Sequence, residues 1–213
     1  MHRRRTVIAL SAALLAAPAL TACGSESHPG AAAVVGGQRI TVAQLENRVE
    51  EVRSAQRDAT ADEAQYAQEI ARTGSLTRDT LHTLVLDRVL DRAAKDAGVT
   101  VTERDVQAMR TSLEQQAGGA RGLRTAWLRQ YGVAPARLDE SLRTEVRAQK
   151  LAAALGADMN TSTGKAVFWK SLSDASKALH IDVNPRYGSW DVQKSSRVDT
   201  TAPWLKDVSR AGA

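Results

Sequence analysis

Residues 33–41 read Ala-Val-Val-Gly-Gly-Gln-Arg-Ile-Thr. The apolar run, the Gly36-Gly37 pair and the run ending at Ile40 predict a short strand, a tight turn and then either a second strand or the start of a helix. Thr41 is a good N-cap, and Gln44 three residues on completes a capping box. Val42, Leu45, Val49 and Val52 then recur at spacings of three and four. They form one apolar stripe on a helix that ends near Arg57.

The same signals recur downstream. Residues 58–75 are rich in Ala, Asp, Glu and Gln, and are read as either a weak helix (Tyr66, Ile70) or a mobile link. A helix from Thr77 to Ala97 carries Leu81, Leu84, Val85, Val89, Leu90 and Ala93 on a wide apolar face and stops at Gly98. Val99 to Thr102 is an extended link, with Thr102 capping a helix that carries Val106, Met109 and Leu113. A shorter helix holds Leu123, Trp127 and Leu128. Pro135 starts another, with Leu138, Leu142, Val146, Leu151 and Leu155 along it. The last helix, Lys165 to Ala178, presents Val167, Phe168, Leu172 and Ala175. His180 to Val183 alternates like a short strand, and Asn184-Pro185-Arg186-Tyr187-Gly188 is a turn. After Trp190 the chain is polar with little pattern, apart from Pro203-Trp204-Leu205. The fold class is therefore mainly α, with a small β element.

The chain has 213 residues, 29 Lys+Arg, 24 Asp+Glu and one cysteine. That length suits one domain. A single cysteine excludes an intramolecular disulfide framework and a Cys-cluster metal site. The sequence pI of 9.7 suggests a nucleic-acid binder, but the N-terminal segment distorts it. Arg3-Arg4-Arg5 precedes an uncharged run from Val7 to Leu20, a basic region and apolar core of signal-peptide length. Removing residues 1–22 with those three arginines leaves 26 basic and 24 acidic side chains, a net charge of +2. No nucleic-acid partner is expected.

Leu20-Thr21-Ala22-Cys23-Gly24 resembles the bacterial lipobox. The resemblance implies cleavage before Cys23 and lipidation of its thiol, so that the chain is held at the outer face of the cell membrane. Two acyl chains give stable anchoring at about 0.8 kcal/mol per buried CH₂. Sec and twin-arginine export both remain open. Gly24 to Ala33 is small and polar and reads as a tether. The expected organisation is residues 1–22 signal peptide, 23–32 lipidated tether, 33–191 helical domain and 192–213 polar tail.

Val34 to Thr41 before an amphipathic helix, with Ala97-Gly98-Val99-Thr100-Val101-Thr102-Glu103 joining two long helices, resembles the N-terminal domain of SurA-type and PrsA-type extracytoplasmic chaperones. Ile181 to Asp191 resembles the ending of actinobacterial lipoproteins in that group. The resemblance implies a multi-helix domain in which Ala33–Val35 or Gln38–Ile40 pairs with His180–Val183. It also implies holdase-type binding of unfolded or partly folded exported proteins. Larger members insert a parvulin-type isomerase domain before the last helix. Only eight residues separate Gly156 from Lys165, so no prolyl isomerase domain is expected.

No Gly-x-Ser-x-Gly, His-Glu-x-x-His, Walker or dinucleotide pattern occurs. The expectation is a protein without enzymatic activity, cofactor or metal. Asp87 and Asp91 lie one helical turn apart beside Arg88 and Arg92, which reads as a charge-laced helix face. His82 reads as an edge or core histidine. Met109, Leu113, Trp127, Leu128 and Tyr131 are candidate client-binding residues, adaptable or amphipathic in type; a helical-hairpin core is the alternative and the commoner role. Asn184 to Gly188 is read as a structural turn before a recognition turn. The function expected is chaperone-like binding of exported polypeptides. The alternative is an envelope scaffold or assembly factor that binds one folded partner. Replacing Cys23 by Ala is expected to move the protein from the membrane to the soluble fraction; retention at the membrane would refute the lipid anchor.

Overall fold

The structure, a computed structural model, describes residues 29–198; Cys23, the signal segment and residues 199–213 lie outside the described residues. Strand β1 (Ala31–Val35) and strand β2 (Gln38–Thr41) form an antiparallel hairpin across Gly36-Gly37. Gly36 has φ +59°, and its N–H donates to the Leu179 carbonyl at 2.7 Å. That left-handed backbone favours glycine, and a Cβ there would press on the Leu179 side chain, with Cδ2 at 2.8 Å. Ala31, Ala32 and Ala33 are 0% exposed. The strand thus begins at Ala31, two residues before the predicted start at Ala33, and takes Ala31 and Ala32 out of the tether. Their small side chains let the backbone run through the core.

Helix α1 (Val42–Asp58) starts at the expected capping box: the Thr41 side chain accepts from the Gln44 N–H at 3.0 Å, and the Gln44 side chain accepts from the Thr41 N–H at 2.9 Å. Residues 58–75 are not a mobile link. Helix α2 (Glu63–Arg72) forms there, with Tyr66 buried and the Arg57 guanidinium 4.3 Å above its ring. Arg53 also donates to the Thr73 carbonyl at 2.9 Å, tying the end of α2 back to α1.

Helix α3 (Leu76–Asp96) is the hub, packing on α1, on β1, and on two later helices, α6 (Leu138–Ala154) and α7 (Ser162–Leu179). Helices α4 (Glu103–Gln116) and α5 (Ala120–Tyr131) form a hairpin against α6. The cap of α4 is tied to α6 as well. Asp105 Oδ2 accepts from Lys150 Nζ at 2.6 Å and from the Thr102 N–H and hydroxyl at 2.8 Å each. The Lys150 contact first, then those to Thr102, hold the carboxyl at about 2.

Strand β3 (Asp182–Val183) pairs antiparallel with β1, Ala33 opposite Val183 and Val34 opposite Asp182. The sheet order β2-β1-β3 joins the two ends of the described chain, with three strands where two were expected. The Asn184 to Gly188 turn packs onto the sheet: Asn184 Nδ2 donates to the Ala31 carbonyl at 3.2 Å, its Oδ1 accepts from the Arg186 N–H at 3.1 Å, and Tyr187 is buried in the core with Val183.

The polar stretch after Trp190 contains a second hairpin rather than an unpatterned tail. Strand β4 (Ser189–Asp191) pairs with β5 (Ser196–Val198). It docks through buried serines, Ser195 Oγ meeting Ser176 Oγ at 3.1 Å, and through half-buried rings, Trp190 stacking on His82 at 5.6 Å. His82 Nδ1 accepts from the Arg197 N–H at 3.3 Å, which requires the neutral ring. Burial first, then the Arg197 charge, push its pKa below the usual 6.5, with Asp79 opposing. The unfolded chain therefore takes up the proton at a higher pH than the native one. Stability is expected to be full above pH 6.5 and to fall as the pH drops below it toward the native pKa. Urea midpoints between pH 7 and 5.5 should show this fall, and His82→Gln should flatten it; equal slopes would exclude His82 as the source.

Candidate functional site

Three helical stripes face one another around a cleft. From α1 come Arg48, Glu51 and Val52; from α3, Leu76, Thr80, Thr83, Leu84 and Asp87; from the start of α6, Glu140, Ser141 and Thr144. The 3.6-residue period explains the selection: members of each stripe lie three or four apart, so they share a face. Tyr131 at the end of α5 and the Gly132-Val133-Ala134 connection close one end. Gly132, in the left-handed conformation at φ +61°, ends α5 and turns the chain along the rim.

The cleft has two lobes that share Arg48, Glu51, Leu84, Asp87, Arg137 and Glu140. The lobe beside Tyr131 has a cavity volume of ≈ 160 Å³ and a floor of Val52, Leu76 and Ala134, which pack together with Leu128. The second lobe, ≈ 370 Å³, runs toward β2 and is lined by Ile40, Gln44, Asn47 and Arg88. Arg88 is half-buried and donates to the Gln38 and Arg39 carbonyls at 3.0 and 3.2 Å, which fixes the β2 end.

Two ion pairs connect the walls. Arg137 grips Glu51 through Nε and Nη2 at 2.7 and 2.6 Å, and Arg48 meets Glu140 at 2.5 Å. The hydrogen bond from Arg137 is the main reason that the Glu51 carboxyl sits below its usual range. Asp87 accepts from Thr144 at 2.6 Å and from Arg147 at 2.8 Å, and Arg147 also reaches Asp91 at 3.6 Å. The expected charge-laced face of α3 thus serves as the α3–α6 seam. The arrangement has an apolar floor, polar walls and salt links between helices. It is suited to holding a segment with apolar side chains. Among the described residues no group of His, Cys, Asp or Glu is placed to hold a metal ion.

The structure divides the five candidate client-binding residues. Met109, Leu113 and Trp127 pack around Val106, Leu123, Leu138 and Leu142, and the Trp127 indole donates to Ser141 Oγ at 3.1 Å. Leu128 is buried beneath the cleft. Tyr131, 56% exposed, stands at the rim with its ring 4.9 Å from Trp127. Leu84 and the Arg48, Glu51, Arg137 and Glu140 set were not singled out in the sequence as cleft residues. Nothing in the spacing of such charges separates a cleft wall from a solvated helix face.

A family model described as SurA-like N-terminal domain matches residues 2–152, well over half of the chain. Searches of the curated proteins and of the solved structures found no match. No helix among the described residues is long and apolar enough to cross a membrane. Trp127→Ala is expected to cost about 2–4 kcal/mol of stability through the cavity it leaves. Tyr131→Ala should cost under about 1 kcal/mol, as an exposed site does. Urea titrations of the two variants check this; a Trp127→Ala variant of unchanged midpoint would place that side chain outside the core.

Proposed function

The chain belongs to the SurA-like N-terminal domain family, a chaperone-type, non-catalytic domain of extracytoplasmic proteins, and from that premise we propose that the protein is a holdase, with unfolded exported polypeptides as its clients and the α1–α3–α6 cleft as their binding site. The observation that carries this reading is the cleft itself: Val52, Leu76, Leu84 and Ala134 lie at the base of an open groove with Tyr131 on its rim. An unfolded client exposes apolar side chains, and this surface accepts them without a fixed sequence.

Release without ATP needs weak binding. The wall-to-wall pairs are partly exposed, with Arg48 and Glu140 side chains at 22% and 49%. Pairs of that kind contribute about 0–1 kcal/mol each, so the walls separate and reclose at small cost. Lipidation of Cys23 places the domain at the outer face of the membrane, where clients emerge. Tethering there raises the effective concentration of the cleft. The connection between α6 and α7 is short, residues 155–161, and the protein works without an isomerase domain and without a catalytic step.

The test follows light scattering as a chemically denatured protein is diluted into buffer containing the unlipidated chain from Gly24 onward. Aggregation is expected to be suppressed near equimolar ratio, and Leu84→Glu or Tyr131→Glu should abolish suppression while the circular dichroism stays native. No suppression in large molar excess would overturn the holdase reading in favour of a scaffold with one folded partner.

A further inference from the structure

The described chain ends beside the cleft. β5 stops at Val198, and its Arg197 N–H is bonded to His82. This fixes the exit of the chain on the N-terminal half of α3. His82 adjoins Thr83 and lies three residues from Asp79; both are exposed, and both line the cleft. An open strip of α3 surface therefore leads from the exit to the cleft mouth.

Residues 199–207 continue as Asp-Thr-Thr-Ala-Pro-Trp-Leu-Lys-Asp. Trp204 is six residues beyond Val198, a reach of about 20 Å when extended. That is more than the ~10–12 Å diameter of the helix to be skirted. Pro203 has a fixed φ and biases the preceding residue toward extended backbone, which shortens the search. The chemistry is complementary. Trp204 and Leu205 are a large apolar pair, matching the Leu76 and Leu84 floor and the Tyr131 ring. Lys206 follows at once, and the exposed Asp79 carboxylate stands on the cleft lining nearest the exit.

We propose that residues 203–206 of this chain dock in the cleft, with Trp204 and Leu205 on its apolar floor, and compete there with clients. The proposal rests on the cleft being a peptide site. A segment so close to its site has an effective concentration on the order of millimolar. A weak intrachain contact then suffices to keep out poor clients, while a strongly apolar segment displaces it.

The experiment uses the chain through Ala213. A photo-cross-linking amino acid replaces Trp204, and the adducts are mapped by mass spectrometry. In parallel, a fluorescent, permanently unfolded carboxymethylated protein is titrated against the unsubstituted chain and against Trp204→Ser/Leu205→Ser. Cross-links to Tyr131 and to the Leu76–Leu84 stretch, with binding about five- to tenfold tighter in the double variant, are expected. Cross-links absent from the cleft together with equal affinities would overturn the proposal. If the probe binds both chains with equal affinity and position 204 gives no cross-link in the cleft, tail docking fails and the holdase reading stands. If position 204 cross-links in the cleft while neither chain binds the probe, docking stands and the holdase reading fails.

Discussion

Every other feature depends on the burial of β1. Ala31, Ala32 and Ala33 have no exposed surface, and Val35 is 2% exposed. Backbone groups in such a place must be paired, because an orphaned donor or acceptor there costs about 1–3 kcal/mol. One edge finds β2 across a two-residue turn. The other edge is satisfied only by β3, with Val183 opposite Ala33. The whole helical body must therefore fold within the loop between residues 41 and 182. Helix α3 crosses that sheet with Leu81 and Val85 and supplies the surface on which α1, α6 and α7 rest. The glycine turn at Gly36, bonded to Leu179, fastens the end of α7 to the same hairpin.

The cleft is a geometric result of that packing. Helices α1 and α6 both lie on α3, and small or polar residues face each other where they diverge. Ala134, Ser141 and Thr144 leave space above Leu76 and Leu84 that larger residues would fill. The pairs Glu51–Arg137 and Arg48–Glu140 hold the walls without filling the gap. A carboxylate–guanidinium pair at a wet rim holds a distance weakly and reversibly, whereas an apolar contact would have closed the groove into core. The α4–α5 hairpin contributes from the side. Leu128 and Ala134 carry its packing into the cleft floor, and Trp127 braces Tyr131 from behind.

The helices were legible because their signals are local. The stripe from Val42 to Val52 and the capping pairs Thr41–Gln44 and Thr102–Asp105 lie within a few residues of one another, and the structure shows them as read. The β1–β3 pairing followed from resemblance, since no local pattern ties Ala33 to Val183. Ala31 and Ala32 were misassigned because alanine carries no strand signature; their burial comes from the elements packed over them. The β4–β5 hairpin escaped for a related reason. Its strands have three residues each, and its docking depends on Ser176 and His82, far away in sequence. The cleft was illegible in the same way: its walls come from segments near residues 50, 80 and 140, and each charge reads alone as a surface charge.

The family match ends at Ala152, and that boundary falls at a physically meaningful place. All the residues that line both lobes of the cleft lie before it, from Ile40 to Thr144. The free edge of β1 and much of the α3 face are satisfied only after it, by Phe168, Leu172, Ala175, Val183 and Tyr187. Cleft and closure are thus encoded in separate stretches joined by residues 155–161, none of which lines the groove. A chain can be lengthened at such a connection at little cost, because loop entropy grows only logarithmically with length. The larger proteins that the sequence resembles insert their isomerase domain before the last helix, the same point. Here the connection is short, and the closing segment follows directly. The groove, with Val52, Leu76 and Ala134 on its floor, is complete before that connection is reached.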